Sequence, residues 1–345
     1  MAQDAPTVAL LATPPGPGGI AVVQIVGPDA REVARRAGLR LAPAPAHSRL
    51  DDDVLVHARS ASSTPWKLPT VEVSCHGGVA APRALIARLG VRETTREELY
   101  EGAVRRRVLD RIRAEAWLLL PGAVTWRASE MLLAQAGGAL SRAVGRIRYR
   151  RQAARLLETA RTGRALVDPP TVVIAGRANA GKSTLLNALA GKDRALVSPV
   201  PGTTRDPVTE IVAFDGFPVR LVDTAGFAES EEALDREAMA RSREAAAGAA
   251  LTLWVRDARE PSRPEGDLHV AAKMDLPDAR AMKGEIPVSA IAGKGLERLR
   301  RALLKALVLT PPSGAAVFTG RQEALLQALA AGARALDVRE KLLWT

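Results

Sequence analysis

Thr171-Val172-Val173-Ile174-Ala175-Gly176-Arg177-Ala178-Asn179-Ala180-Gly181-Lys182-Ser183-Thr184-Leu185 is the stretch from which the rest of the chain is read. Residues 171–175 are the β-branched and apolar run of a buried strand, and residues 185–190, Leu-Leu-Asn-Ala-Leu-Ala, read as a helix. Between them stands Gly-x-x-x-x-Gly-Lys-Ser, a phosphate-binding loop in the strand–loop–helix setting it requires. Its glycines let backbone N–H groups curl round an anion, and the N-terminus of the following helix adds its dipole. Asn179, Ala180, Gly181, Lys182, Ser183 and Thr184 therefore form a predicted nucleotide-binding loop, with Lys182 reaching the β- and γ-phosphates and Ser183 ligating Mg²⁺.

Downstream, Gly202-Thr203-Thr204-Arg205-Asp206 lies in a loop after Pro199 and Pro201, and Asp223-Thr224-Ala225-Gly226 ends an apolar strand at 219–222. Each motif alone is weak, because a Thr-Thr pair is usually a turn and an Asp-Thr often a cap. In this order behind the loop they match the two switch segments of a GTPase. Thr204 is then placed to complete the Mg²⁺ shell, Asp223 to hold a magnesium water, and the Gly226 N–H to sense the γ-phosphate. Lys273-Met274-Asp275 follows another apolar strand, and Asp275 could accept hydrogen bonds from N1 and N2 of guanine, a donor pair that adenine does not present. Ser289-Ala290 supplies the next loop at the base, while Ala272 stands where GTPases usually carry Asn.

A chain of 345 residues exceeds one typical core, and an apolar fraction of 47% with only 3% aromatic residues predicts aliphatic interiors. The net charge of +11 attracts polyanions such as RNA; the plainer alternative is a diffuse positive surface, and charge alone names no partner. The single Cys75 excludes an intrachain disulfide and reads as a strand-end core residue. No apolar stretch approaches the about 20 residues that span a bilayer, so a cytoplasmic chain without a membrane partner is expected. Apolar runs at 8–12 and 20–26 flank a Pro/Gly turn at 14–19, followed by a helical phase at 30–37, a Pro-rich loop at 43–45 and a strand at 71–75. Helical spacing covers 105–164, with Leu132, Leu133, Ala136 and Leu140 on one face and then Ile147, Leu156 and Leu157, and one amphipathic helix is read at 321–343. The expected fold is α/β: a small α+β domain at 1–97, a helical domain at 98–168 plus 311–345, and a P-loop GTPase domain with a doubly wound, mostly parallel sheet inserted at 169–310.

Thr13-Pro14-Pro15-Gly16, Ile25-Val26-Gly27-Pro28-Asp29-Ala30, the 72–78 stretch ending His-Gly-Gly, Leu109-Asp110 with Ala114-Glu115-Ala116, and above all 172–226 with Asp193-Arg194-Ala195-Leu196-Val197-Ser198 together resemble the MnmE (TrmE) tRNA-modification GTPases. The likeness covers most of the chain. It implies a folate-binding N-terminal domain, a helical domain and an inserted G domain that forms a homodimer when GTP is bound. It also implies action on the wobble uridine of tRNA with an FAD-dependent partner of the MnmG type. Carried over, Asn179 and Thr203 with the carbonyls of Ser198 and Val200 would cradle K⁺, offsetting charge that develops in phosphoryl transfer. Asn179 can also be read as a residue that merely shapes its loop. Glu72 corresponds to a folate-holding residue, and Asp235 stands at the family's catalytic Glu, one methylene shorter.

Several positions depart from the family pattern. Gln24 replaces an early Arg and Val108 a middle Lys of the folate site. The stretch between Val255 and Lys273 is short and rich in Pro and charge where relatives carry a helix, and the sequence stops at Trp344-Thr345 short of the family's Cys-x-Gly-Lys tail. The expected function is GTP binding and hydrolysis of the MnmE type in tRNA wobble-uridine modification, with hydrolysis that these departures could impair. The alternative expectation is a degenerate nucleotide-dependent switch that binds RNA or an assembling ribosome without modifying it.

Overall fold

The computed structural model of the chain describes residues 5–13, 18–42, 45–49, 53–191, 209–223, 248–261 and 266–345. The chain divides into two compact units, Met1–Leu118 with Glu340–Thr345, and Leu119–Arg339.

In the first unit, strands β1 (Val8–Leu11), β2 (Ile20–Val26), β3 (Ala46–Arg49), β4 (Asp53–Arg59), β5 (Thr70–His76) and β6 (Arg92–Glu93) form a sheet in the order β3-β4-β5-β2-β1-β6. All its pairings are antiparallel except β1 with β6. Period-2 alternation puts Ala21, Val23, Ile25, Val71 and Val73 on one buried face, where helices α1 (Ala30–Arg36) and α2 (Ala80–Leu89) add Val33, Ala34, Leu85 and Leu89. The opposite face carries Val8, Leu10 and Val26 under Leu99, Tyr100 and Val104 of α3 (Arg96–Arg105). The Pro-rich turn read at 14–19 falls mostly on residues 14–17, outside the described residues.

After α4 (Arg111–Leu119), the second unit opens with four short helices, α5 (Trp126–Ala136), α6 (Ala139–Gly145), α7 (Arg150–Leu157) and α8 (Ala160–Val167). The helical spacing of the sequence is thus present but cut by turns. Leu132 and Ala136 are buried, as is Leu140 one helix later, whereas Leu133 is 51% exposed because adjacent helical residues point about 100° apart. The sheet that follows comprises β7 (Thr171–Ala175), β8 (Thr209–Phe214), β9 (Phe217–Asp223), β10 (Leu251–Asp257), β11 (Leu268–Ala272) and β12 (Ile286–Pro287), in the order β12-β11-β10-β7-β9-β8. Its pairings are parallel except β8 with β9. Helix α9 (Lys182–Ala190) follows β7, and α10 (Leu296–Ala306) follows β12.

The chain then returns to the helices. Gln135, fully buried, accepts from Leu140 N and Ala316 N and donates to Gly314 O, and Thr159 and Thr162 accept from Val317 N and Thr310 N. The single helix read at 321–343 is two, α11 (Gly320–Ala331) and α12 (Ala335–Trp344). The break lies at Gly332, whose φ of +120° suits glycine and where a Cβ would come 2.8 Å from Arg150 Nη2.

Candidate functional site

β7 sits where strand order reverses, with β9 on one side and β10 on the other, and the crevice outside the carboxyl ends of such strands is where ligands bind in open α/β sheets. The loop after β7 occupies that position. At Gly176 a Cβ would lie 2.1 Å from Val255 O of β10, so only glycine lets the chain leave the sheet over its neighbour. Asn179 takes the left-handed conformation with φ of 57°, and α9 begins at Lys182. The Lys182 side chain is buried and its Nζ donates to the carbonyls of Gly176 (3.0 Å) and Arg177 (2.8 Å). Ser183 and Thr184 are exposed on the first turn of α9, next to the buried Ala180.

The parallel register Ile174↔Asp223 brings the carboxylate at the end of β9 beside this turn, where Ser183 Oγ donates to Asp223 Oδ2 at 2.6 Å. A hydroxyl and a carboxylate within one hydrogen bond are hard oxygen donors of the kind Mg²⁺ takes, so the residues present fit that ion. At the other flank, Asp257 ends β10 and accepts from Arg259 N, Nε and Nη2 and from Lys273 Nζ at 3.0 Å. The Arg259 hydrogen bonds first, and Lys273 after them, hold the Asp257 carboxyl well below the usual carboxylate range. Lys273 Nζ also donates to Asn179 O at 2.5 Å, making it a strut between the phosphate loop and β10.

Asp275 is exposed and its Oδ1 accepts from Ser289 Oγ at 2.5 Å. Ser289 and Lys294 exchange two backbone hydrogen bonds of 3.0 Å, which sets the turn holding Ala290. The two segments read as the base site are thus joined. Ser198, Val200, Thr203, Thr204, Thr224, Ala225, Gly226 and Asp235 lie outside the described residues. Glu72, on β5 of the first unit, accepts from Gln24 Nε2 (2.8 Å) and from Arg59 Nε of β4 (2.7 Å), so an arginine meets it from a different strand than the family's early Arg.

Sequence reading missed Asp257, Arg259 and the buried pair Arg256–Glu285, whose guanidinium and carboxylate meet at 2.8 and 2.6 Å. The signal was Arg256-Asp257 ending an otherwise apolar strand, since charge that is buried at a strand end needs partners.

A family model described as 50S ribosome-binding GTPase matches residues 171–280. The chain is similar to "tRNA modification GTPase MnmE" of Xanthomonas oryzae pv. oryzae (strain PXO99A), 33% identical over 87% of this chain and 80% of that one. Proteins of the same name from Geobacillus thermodenitrificans (31%, 86% and 81%) and Symbiobacterium thermophilum (34%, 98% and 84%) match likewise. Among solved structures, the G domain of the T. maritima FeoB iron transporter aligns with 40% of this chain and 98% of its own length, at 22% identity and a TM-score of 0.30.

Proposed function

The chain belongs to the MnmE family of tRNA modification GTPases and is a GTP-binding, GTP-hydrolysing enzyme, and from that premise we propose that it couples a Mg²⁺- and K⁺-dependent GTPase cycle to modification of the wobble uridine of tRNA. The observation that carries the proposal is the Ser183–Asp223 contact of 2.6 Å beside Lys182, which gathers the hydroxyl, the carboxylate and the phosphate-facing cation at the end of β7. Bound Mg²⁺ would offset the charge that builds on the β- and γ-phosphates. Lys182 and the N–H groups of residues 179–184 would bind and orient those phosphates, and Ser183 and Asp223 would hold the ion beside them.

Asn179, at the rim of the loop, would be the described member of a K⁺ site completed by Ser198, Val200 and Thr203, with Asp235 orienting the attacking water. Asp275, Ser289 and Ala290 read guanine, and Lys273 stiffens the loop beneath the nucleotide. A homodimer through the inserted domain, an FAD-dependent partner of the MnmG type, a folate site near Glu72 and a cytoplasmic place of work complete the reading. No described helix is long and apolar enough to cross a membrane. The three-part division at 1–97, 98–168 plus 311–345, and 169–310 is supported by the Gln135, Thr159 and Thr162 hydrogen bonds that draw 310–317 back onto the helices.

Hydrolysis of GTP by the full chain, measured in K⁺ and in Na⁺, tests the cycle: a faster rate in K⁺ that falls in Asn179→Ala is expected, and equal rates would remove the K⁺ site. Nucleoside analysis of tRNA from cells lacking their own enzyme and carrying this chain tests the modification, and unmodified wobble uridine throughout would remove it.

A further inference from the structure

Residues 131–157 contain no Asp or Glu and six arginines, Arg142, Arg146, Arg148, Arg150, Arg151 and Arg155, all of them exposed. Two have evident structural work. Arg142 Nη1 donates to Gly137 O at 2.7 Å, and the Arg150 guanidinium lies against Gly332 at the end of α11. The guanidinium groups of the other four make no ion pair or hydrogen bond among the described residues, whereas the exposed Arg92, Arg164 and Arg259 pair with Glu98, Glu323 and Asp257.

Their placement is also costly. Arg148, Arg150 and Arg151 crowd the N-terminal end of α7, where the helix dipole is positive and cations are disfavoured. Tyr149 occupies the N-cap, a position that favours Ser, Thr, Asp or Asn, yet its ring is left 61% exposed. The backbone there is fixed by Gln152 Oε1, which accepts from Arg148 N (2.7 Å) and Tyr149 N (3.0 Å), so the ring is presented outward with the Arg151 guanidinium 5.5 Å from its centroid. Local choices that work against the helix mark a surface kept for something else.

We propose that the α6–α7 turn, through Arg146, Arg148, Arg151 and Tyr149, is an RNA-docking face on which the arginines take backbone phosphates and Tyr149 stacks on an unpaired base. The inference rests on the reading that this chain acts on RNA and adds where the RNA sits. Phosphates explain the unneutralised arginines and the charge at the wrong end of α7, and an exposed aromatic among them matches the stacking platforms that hold single-stranded nucleotides.

The test is fluorescence anisotropy of a labelled tRNA titrated with the GDP-bound full chain over a range of salt, using the unmutated protein, the triple variant Arg146→Gln/Arg148→Gln/Arg151→Gln, Tyr149→Ala and Tyr149→Phe. The triple variant should bind at least about tenfold more weakly at ~0.1 M salt, with a slope of log K against log[salt] smaller by roughly two to three. Tyr149→Ala should lose roughly tenfold with the slope unchanged, and Tyr149→Phe should retain the affinity. Melting temperature should hold or rise in the triple variant, where cations leave the N-terminal end of α7, and GTP hydrolysis without RNA should stay the same in all. A triple variant that matches the unmutated protein in affinity and slope overturns this face and leaves the proposed function standing. An unmutated chain that binds no tRNA at any salt sinks both. Loss of binding to an FAD-dependent protein partner with tRNA binding intact would reassign the face to a protein.

Discussion

The ammonium of Lys182 donates to two carbonyls of its own loop, Gly176 O and Arg177 O, and thereby lies against the turn proposed above to hold the phosphates. Lys182→Ala removes a charge that a nucleotide needs and contacts that backbone and water can remake. Affinity for GDP should fall at least about a hundredfold while stability changes by no more than about 1 kcal/mol, checked by titration beside a thermal melt. At the base, GTP should bind better than ATP and Asp275→Asn should narrow the gap, because an amide presents a donor to guanine's own donors. Equal affinities in the unmutated chain would count against guanine selection. Ala272→Asn should tighten GTP: Ala272 Cβ lies 3.7 Å from where a Cβ on Gly181 would be, so an amide there reaches the phosphate loop, which Lys273 already contacts through Asn179 O. Lys182, Ser183 and Asp223 were legible in the sequence because strand–loop–helix spacing fixes their geometry. The Lys273–Asp257 contact was not, because it depends on the β10–β11 register and no local pattern encodes that.

Between β10 and β11, and again between β11 and β12, parallel strands are joined with no helix among the described residues, although such connections ordinarily use one. Arg256 takes over part of that structural role. It is 3% exposed and spends all its donors at once: Nε and Nη2 on Glu285, Nη1 on the carbonyls of Asp257 and Glu260, and Nη2 again on the carbonyl of Arg280. Both short connections are therefore tied to one guanidinium. Glu285→Ala leaves that charge buried with its acid gone and should cost about 3–5 kcal/mol by urea denaturation, whereas Arg256→Met with Glu285→Leu should cost less than the single change. The hydrogen bonds from Arg256 hold the Glu285 pKa below its ordinary value, and Arg259 does the same more strongly for Asp257. Their contribution is fully present above the unfolded carboxylate pKa of about 4 and is lost as pH falls from there through the lower folded values, so acid should destabilise the unmutated chain more steeply than Glu285→Ala below about pH 4. The shortness of the β10–β11 connection was visible in the sequence as Pro and charge replacing a helical pattern; that of the β11–β12 connection was not, nor was the buried ion pair that ties both, since its partners lie 29 residues apart. The break at Gly332 escaped reading for a similar reason. A glycine in an Ala/Leu-rich run passes as an interior helical residue until the Arg150 side chain is known to fill the space beside it.

At the scale of the whole chain, the sheet and the helices of the second unit meet at the β8–β9 turn, Asp215-Gly216. Arg127, on the first turn of α5, donates through Nε to Asp215 O and through Nη2 to Asp215 Oδ2 at 2.9 Å, and its guanidinium lies 4.4 Å from the Trp126 ring centroid and 5.1 Å from that of Phe217. β9 runs from that turn to Asp223, so the contact fixes one end of the strand whose other end carries the carboxylate that accepts from Ser183 Oγ. Two stacked rings, a backbone acceptor and a carboxylate converge on a side chain only 17% exposed, a setting in which cation–π contacts contribute about 0.5–2 kcal/mol and charge-assisted hydrogen bonds about 1.5–3 kcal/mol. Arg127→Ala should therefore destabilise this unit by about 2 kcal/mol, lowering by roughly 4–8 °C the transition that GDP raises. The GDP-sensitive transition is the quantity to follow, because a chain of two units need not melt in one step. Arg127→Lys should recover less than half of the loss, since an ammonium keeps the charge but can neither fork to two oxygens nor stack a planar face on a ring. Asp215→Ala should cost less than about 1 kcal/mol, because that carboxylate is 67% exposed and the backbone acceptor survives its removal. If Arg127→Ala melts like the unmutated chain, or Asp215→Ala costs as much as Arg127→Ala, then the rings and the backbone oxygen are not what hold the turn, and the coupling of this hairpin to α5 falls with them.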